Sequence, residues 1–137
     1  MNSIVLGYDD TDASQRALAR TAQIAKAFGS TLVVTSVAPV VADAIRSSGP
    51  IDPTDPPEKH IAELAEARTY LEGQGINASY QAAVGQPAET IVELAESRGA
   101  DLIVVGTREP NVVQRLLGQS VSDQVAHRAH CDVLIVH

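Results

Sequence analysis

Residues 100–106 read ADLIVVG: one acidic residue, then Leu102, Ile103, Val104 and Val105 with no polar interruption, then Gly106. A strand with one wet face alternates apolar and polar side chains. A run that is apolar at every position is buried on both faces, which happens in a parallel sheet covered by helices on either side. The rest of the chain supplies companions for this strand. Ser3-Ile-Val-Leu-Gly-Tyr8 and Thr31-Leu-Val-Val-Thr-Ser-Val37 are runs of the same kind. Ile76 to Ala82 alternates enough for a third strand, and Asp132 to His137 makes a fifth after the 101–106 strand.

Helical signals fill the intervals. Thr11-Asp12 caps a helix that runs to about Phe28, with Ala17, Ala22, Ile24, Ala25 and Phe28 on its buried side and Gly29 as its stop. Glu58 to about Glu72 forms a second helix, with Ile61, Leu64, Ala65, Arg68 and Leu71 at helical spacing and Gly73 and Gly75 ending it. Gly85-Gln-Pro-Ala opens a third, since Pro87 sits in the first turn where its missing N–H costs little. A fourth spans about Ser120 to Ala129. Pro39, Pro50, Pro53, Pro56 and Pro57 exclude continuous regular structure between 38 and 57, with room for a short helix from Val40 to Arg46. Strand and helix therefore alternate throughout, and the expectation is one α/β domain over residues 1–137, an open parallel sheet with helices on both faces. In such a sheet ligands sit at the carboxyl ends of strands, here Asp9-Asp10, Val37-Ala38 and Gly106-Thr107.

Composition removes several functions. The chain has 137 residues, enough for one core, and 45% of them are hydrophobic but only 3% aromatic. A core of Val, Ile, Leu and Ala follows, without the exposed rings that single-stranded nucleic acid stacks on. The formal net charge is −7 and there is no dense Lys/Arg run, so a phosphate backbone is repelled and no nucleic-acid partner is expected. A lone cysteine, Cys131, excludes an intramolecular disulfide and a multi-cysteine metal site. The opening residues lack the basic start of a secretory signal, and no apolar run approaches the roughly 20 residues of a membrane span. A soluble, cytoplasmic protein with no membrane partner is expected.

The spacing of these segments resembles a known family. Strand-Gly-Tyr-Asp9, then Gly85-Gln-Pro-Ala-Glu-Thr-Ile-Val-Glu-Leu-Ala, Ala100-Asp-Leu-Ile-Val-Val-Gly106, Gly118-Gln-Ser-Val-Ser122 and His130-Cys-Asp-Val-Leu-Ile-Val136 together look like the universal stress protein family, over essentially the whole chain. The resemblance implies a Rossmann-like, adenine nucleotide alpha hydrolase-like sheet of order 3-2-1-4-5 and a homodimer formed along the fifth strand. It also implies an adenine nucleotide site, for ATP or AMP with Mg²⁺, in which Asp9 meets the ribose and the backbone at Val37 meets the base. The phosphates would fall to Gly106 and Ser120, which match the family's motif, and the chemistry of Arg108, Gly118 and Ser122 adds them as candidates. The ATP-binding branch carries Gly, two residues, Gly, nine residues, then Gly and Ser or Thr. Counted from Gly106, the later glycine positions hold Glu109 and Gln119; Ser120 matches, and Gly118 stands one residue early.

The residues themselves weigh both ways. A helix starting at Ser120 offers unpaired N–H groups and a partial positive charge, Ser120 and Ser122 add hydroxyls, and Arg108 and Arg115 can pair with an anion. Glu109 opposes this. A unit charge about 5 Å from a phosphate, at an effective dielectric of about 20, costs about 3 kcal/mol, or about a hundredfold in affinity. A substituted glycine costs about 1–2 kcal/mol more if Gln119 must take positive φ. Two readings result: a dimeric stress-response protein that works through protein contacts, with a weakened nucleotide site, or an ATP or AMP sensor. A slow nucleotide hydrolase lacks a visible catalytic base. No enzyme activity is expected.

Other features have simpler accounts. Asp9-Asp10 would suit a phosphoreceiver, but no acceptor Asp follows the third strand. Gly118-Gln-Ser-Val-Ser lacks the preceding strand of a nucleophile elbow. His127 and His130 lack a third metal ligand and suit a helix C-terminus. His60, with Glu58, Glu63, Glu66 and Glu72, reads as part of a solvated helix face. The fifth strand, Val133-Leu134-Ile135-Val136, is apolar and carries no edge-protecting Lys or Pro, so pairing with a second copy follows from the sequence too.

Overall fold

A computed structural model describes residues 2–9, 11–38, 57–107 and 120–137. The elements are β1 (Ser3–Gly7), α1 (Asp12–Phe28), β2 (Thr31–Ala38), α2 (Pro57–Gly73), β3 (Ser79–Val84), α3 (Pro87–Arg98), β4 (Leu102–Gly106), α4 (Val121–Arg128) and β5 (Asp132–Val136). The five strands form one parallel sheet in the order β3-β2-β1-β4-β5. The sequence between 38 and 57, with its expected short helix, lies outside the described residues, as do Arg108, Glu109, Arg115, Gly118 and Gln119.

Alternate side chains of β1, β2, β4 and β5 feed two cores. Ile4, Leu6, Val34, Leu102 and Val104 meet α1 and α2 on one face. Val5, Val33, Ile103 and Val105 meet α3 on the other, joined by Val125 of α4. Both faces are therefore dry at the central strands, as the uninterrupted apolar runs require. Helix ends follow from local chemistry. Thr11 caps α1 by accepting from the Ser14 N–H, while Gly29 and Gly99 close α1 and α3 in the left-handed conformation that favours glycine.

Three sequence expectations are corrected. The third strand begins at Ser79 and runs to Val84, later than the 76–82 expected. Ile76 is buried but not in the strand: its N–H bonds back to the Leu71 carbonyl at 2.9 Å and closes the end of α2. Phe28 and Ile61 were expected inside and are exposed instead. In α2 the buried stripe is His60, Glu63, Leu64, Ala67 and Leu71, one position round from the expected face. Thus His60 and Glu63, read as solvated, are interior residues at 5% and 3% exposure.

Candidate functional site

The β1–β2 ladder ends at the pair Gly7 and Thr35, and the β1–β4 ladder at Gly7 and Val105. One further bond, from the Tyr8 N–H to the Thr35 carbonyl at 2.9 Å, extends the first of these. β2 then runs on to Ala38, paired only on its β3 side. Chain leaves β1 towards one side of the sheet at α1, and the strand on β1's other flank is β4. The winding direction reverses between β1 and β4, which makes a crevice at their carboxyl ends.

Asp9 stands at this crevice, half-buried. Its Oδ1 accepts from the Thr11 hydroxyl at 2.6 Å and the Thr11 N–H at 3.2 Å, and its own N–H donates to Ser14 Oγ at 3.3 Å. The carboxylate therefore sets the turn into α1, the short-range bonding that Asp favours before a helix. Val37 is also half-buried, two residues past Thr35 as Asp9 is two past Gly7.

Gly106 has a packing reason to be glycine. A β-carbon there would lie 2.6 Å from the Ala13 carbonyl oxygen and 2.7 Å from the Ser14 nitrogen, so the end of β4 and the first turn of α1 meet backbone to backbone. The structure thus gathers Asp9, Ser14 and Gly106 around the start of α1. Thr11 and Ser14 are further polar members of this group; the sequence marks Thr11 only as a helix start, and its three-residue spacing from Ser14 is the capping signal that points to the pair.

Ser120 and Ser122 stand together at the start of α4. Ser120 Oγ accepts from the Asp123 N–H at 3.0 Å and lies 3.0 Å from Ser122 Oγ. Ser120 is therefore the helix cap, half-buried, while Ser122 is 3% exposed and braces it. The four-residue spacing of α-helical bonds leaves the first-turn N–H groups of α4 without intrahelical carbonyl partners. His130, expected to serve a helix end, pairs through Nδ1 with Glu96 Oε1 at 2.7 Å on the surface. Among the described residues no group of three or more His, Cys, Asp or Glu could hold a metal. No helix among them is long and apolar enough to cross a membrane.

β5, at the sheet edge, pairs with β4 over Asp132 to Val136. Val133 and Ile135 lean on one core and Leu134 and Val136 on the other, and all four are half-buried. No described strand covers its outer edge.

The model of the universal stress protein family matches residues 1–137. Universal stress protein Rv1636 of Mycobacterium tuberculosis is 35% identical over 141 aligned positions, covering 98% of this chain and 95% of that protein. Universal stress protein MJ0531 of Methanocaldococcus jannaschii is 33% identical, covering 97% of this chain and 80% of its own length. Among solved structures, a universal stress protein in complex with cAMP superposes with a TM-score of 0.79 at 31% identity, over 99% of this chain and 97% of that one. A universal stress protein from Archaeoglobus fulgidus, at 21% identity and a TM-score of 0.78, shares the fold, covering 100% of this chain and 94% of its own.

Proposed function

The chain belongs to the universal stress protein family, and from that premise we propose that it binds an adenine mononucleotide, AMP or cyclic AMP, at the carboxyl ends of β1, β2 and β4. The observation that carries this is the crevice, with Asp9 and Val37 each two residues beyond the last β1–β2 pair. In this reading Asp9 receives the ribose and the Val37 backbone the base. Gly106 and Ser120 meet the phosphate, with Ser120, braced by Ser122, presenting the start of α4 to it, and Arg108 and Gly118 are the further candidates that the sequence offers. The complex of a 31% identical family member with cAMP supports the ligand class.

The weak point of the site is selective. A single phosphate needs one helix start. A triphosphate brings more charge, and Glu109 and Gln119 stand where the ATP-binding pattern has glycines. Charge repulsion at Glu109 rises with the number of phosphates. Mg²⁺ would accompany the polyphosphate only, being held largely through phosphate oxygens. The protein acts by binding, as a cytoplasmic homodimer joined through β5, and passes its state on through protein contacts.

Thermal unfolding with millimolar cyclic AMP, AMP and MgATP tests the reading. A ligand at 100 times its Kd stabilises by about 2.7 kcal/mol. Stabilisation by the mononucleotides is expected, and no shift with any of the three sinks it.

A further inference from the structure

Capping α1 uses only half of the Thr11 hydroxyl. A cap needs an acceptor, and the Thr11 oxygen serves as one, taking the Ser14 N–H at 3.2 Å. The hydroxyl proton goes elsewhere. Thr11 Oγ1 donates to Asp9 Oδ1 at 2.6 Å, and the Thr11 N–H donates to the same oxygen at 3.2 Å. A hydroxyl–carboxylate contact of that length is charge-assisted and stronger than a neutral bond. The Asp9 N–H is held as well, by Ser14 Oγ at 3.3 Å. Asp9 is therefore fixed at its backbone and at one carboxylate oxygen before any ligand arrives.

The turn has a firm base. Ser14 is 4% exposed, and its backbone nitrogen stands 2.7 Å from the point that a Gly106 β-carbon would occupy. The segment that orients Asp9 is thus packed against the residue that meets the phosphate. The two Thr11 bonds share Oδ1, which fixes the plane of the carboxylate. We propose that Thr11 is a positioning residue that orients the Asp9 carboxylate towards the ribose 2′-hydroxyl, so that the site selects ribonucleotides over 2′-deoxyribonucleotides. The selectivity rests on the nucleotide reading above; the orientation of Asp9 does not.

The choice of hydroxyl follows from the chemistry of the ligands. AMP carries free 2′- and 3′-hydroxyls, whereas the 3′ oxygen of cyclic AMP is esterified. The 2′-hydroxyl is therefore the ribose donor that the two share. Donating to a carboxylate, it makes a charge-assisted bond that the 2′-deoxy compound lacks, worth about ten- to hundredfold in affinity. Holding the carboxylate in advance strengthens the preference, because a side chain already ordered loses no rotamer freedom on binding. AMP and 2′-deoxy-AMP carry the same phosphate, so the ratio of their affinities reports on Asp9 and not on Ser120 or Glu109.

Isothermal titration of the wild type and of Thr11 variants with AMP and 2′-deoxy-AMP tests the selectivity. NMR couplings about the Asp9 Cα–Cβ bond in the ligand-free proteins test the orientation. The wild type should prefer AMP by about ten- to hundredfold and hold Asp9 in a single rotamer. Thr11→Val removes both the cap and the proton; Thr11→Asp keeps a cap acceptor but, ionised, has no proton to give. Both should cut the preference by about two- to tenfold, the worth of one ordered side chain, and average the Asp9 rotamers. Thr11→Ser should restore both readouts. A residue that only capped α1 would weaken the two ligands equally in Thr11→Val and leave Thr11→Asp like the wild type, and that result overturns the inference. So does a wild type that binds AMP and 2′-deoxy-AMP alike, or a single Asp9 rotamer in Thr11→Val and Thr11→Asp. If neither nucleotide binds the wild type, the nucleotide reading falls and the selectivity with it, while the Asp9 couplings still decide the positioning role.

Discussion

Gly106 and Ala13 meet without a side chain between them: a β-carbon on Gly106 would sit 2.6 Å from the Ala13 carbonyl oxygen. The obstacle is backbone on both sides, so it cannot swing away as a flexible side chain would. Gly106→Ala should destabilise by about 1–3 kcal/mol, the usual range for forcing a methyl into a packed contact. Urea denaturation measures it. Unchanged stability would mean that β4 and α1 can separate at no cost.

That contact also marks what the sequence could and could not reveal. Gly106 was visible as a strand-end glycine, but its partner comes from α1, more than 90 residues earlier, and local pattern carries no trace of it. The strands were legible because Leu102 to Val105 and Ile4 to Leu6 are buried on both faces and say so residue by residue. α2 misled because Ile61 looks like a core residue while His60 and Glu63 do not. Hydrogen bonding to Ser36 makes those two tolerable inside, and only the tertiary contact shows it. Their helical spacing with Leu64, Ala67 and Leu71 was the one available signal. At the site, the Thr11 and Ser120 caps were readable from local sequence, whereas the crevice depends on which strands become neighbours.

Asp101 holds the start of β1. Its Oδ2 accepts from the Asn2 N–H at 2.9 Å and its Oδ1 from the Ser3 N–H at 3.2 Å. These backbone bonds hold its carboxyl below the ordinary value of 3.8. The ionised form is thus favoured by folding, so the stabilisation is present above that value and is lost as pH falls through the lower, folded one. Thermal melts should show wild-type stability dropping below about pH 4, and Asp101→Asn should be less stable at neutral pH with a shallower acid limb. Parallel acid limbs would remove the assignment.

Cys131 should be a slow thiol. Burial pushes it above the ordinary 9.0, and Asp132 and Asp101 add repulsion against a thiolate. Iodoacetamide at about pH 8 should label it several-fold more slowly in the native protein than in urea, because the thiolate is the reactive form. Equal rates would show an ionised, open cysteine.

The β5 edge offers Val133, Leu134, Ile135 and Val136 with no described strand beyond them. Light scattering should give twice the chain mass for the wild type and one chain mass for Leu134→Lys, with circular dichroism confirming that the variant folds. A dimer that survives the substitution would place the interface elsewhere.

Glu109→Gly should raise MgATP affinity by up to about a hundredfold, the repulsion of one charge at about 5 Å, and change AMP affinity less. Equal effects on both ligands would show that Glu109 does not discriminate by phosphate number.

In the proposed mononucleotide site, Glu109 and Gln119 disfavour a triphosphate. Isothermal titration of the wild-type protein with AMP, cyclic AMP and MgATP under one buffer tests it most directly. AMP or cyclic AMP should bind at least about tenfold more tightly than MgATP, a difference of about 1.4 kcal/mol. MgATP binding as tightly as either mononucleotide would contradict it.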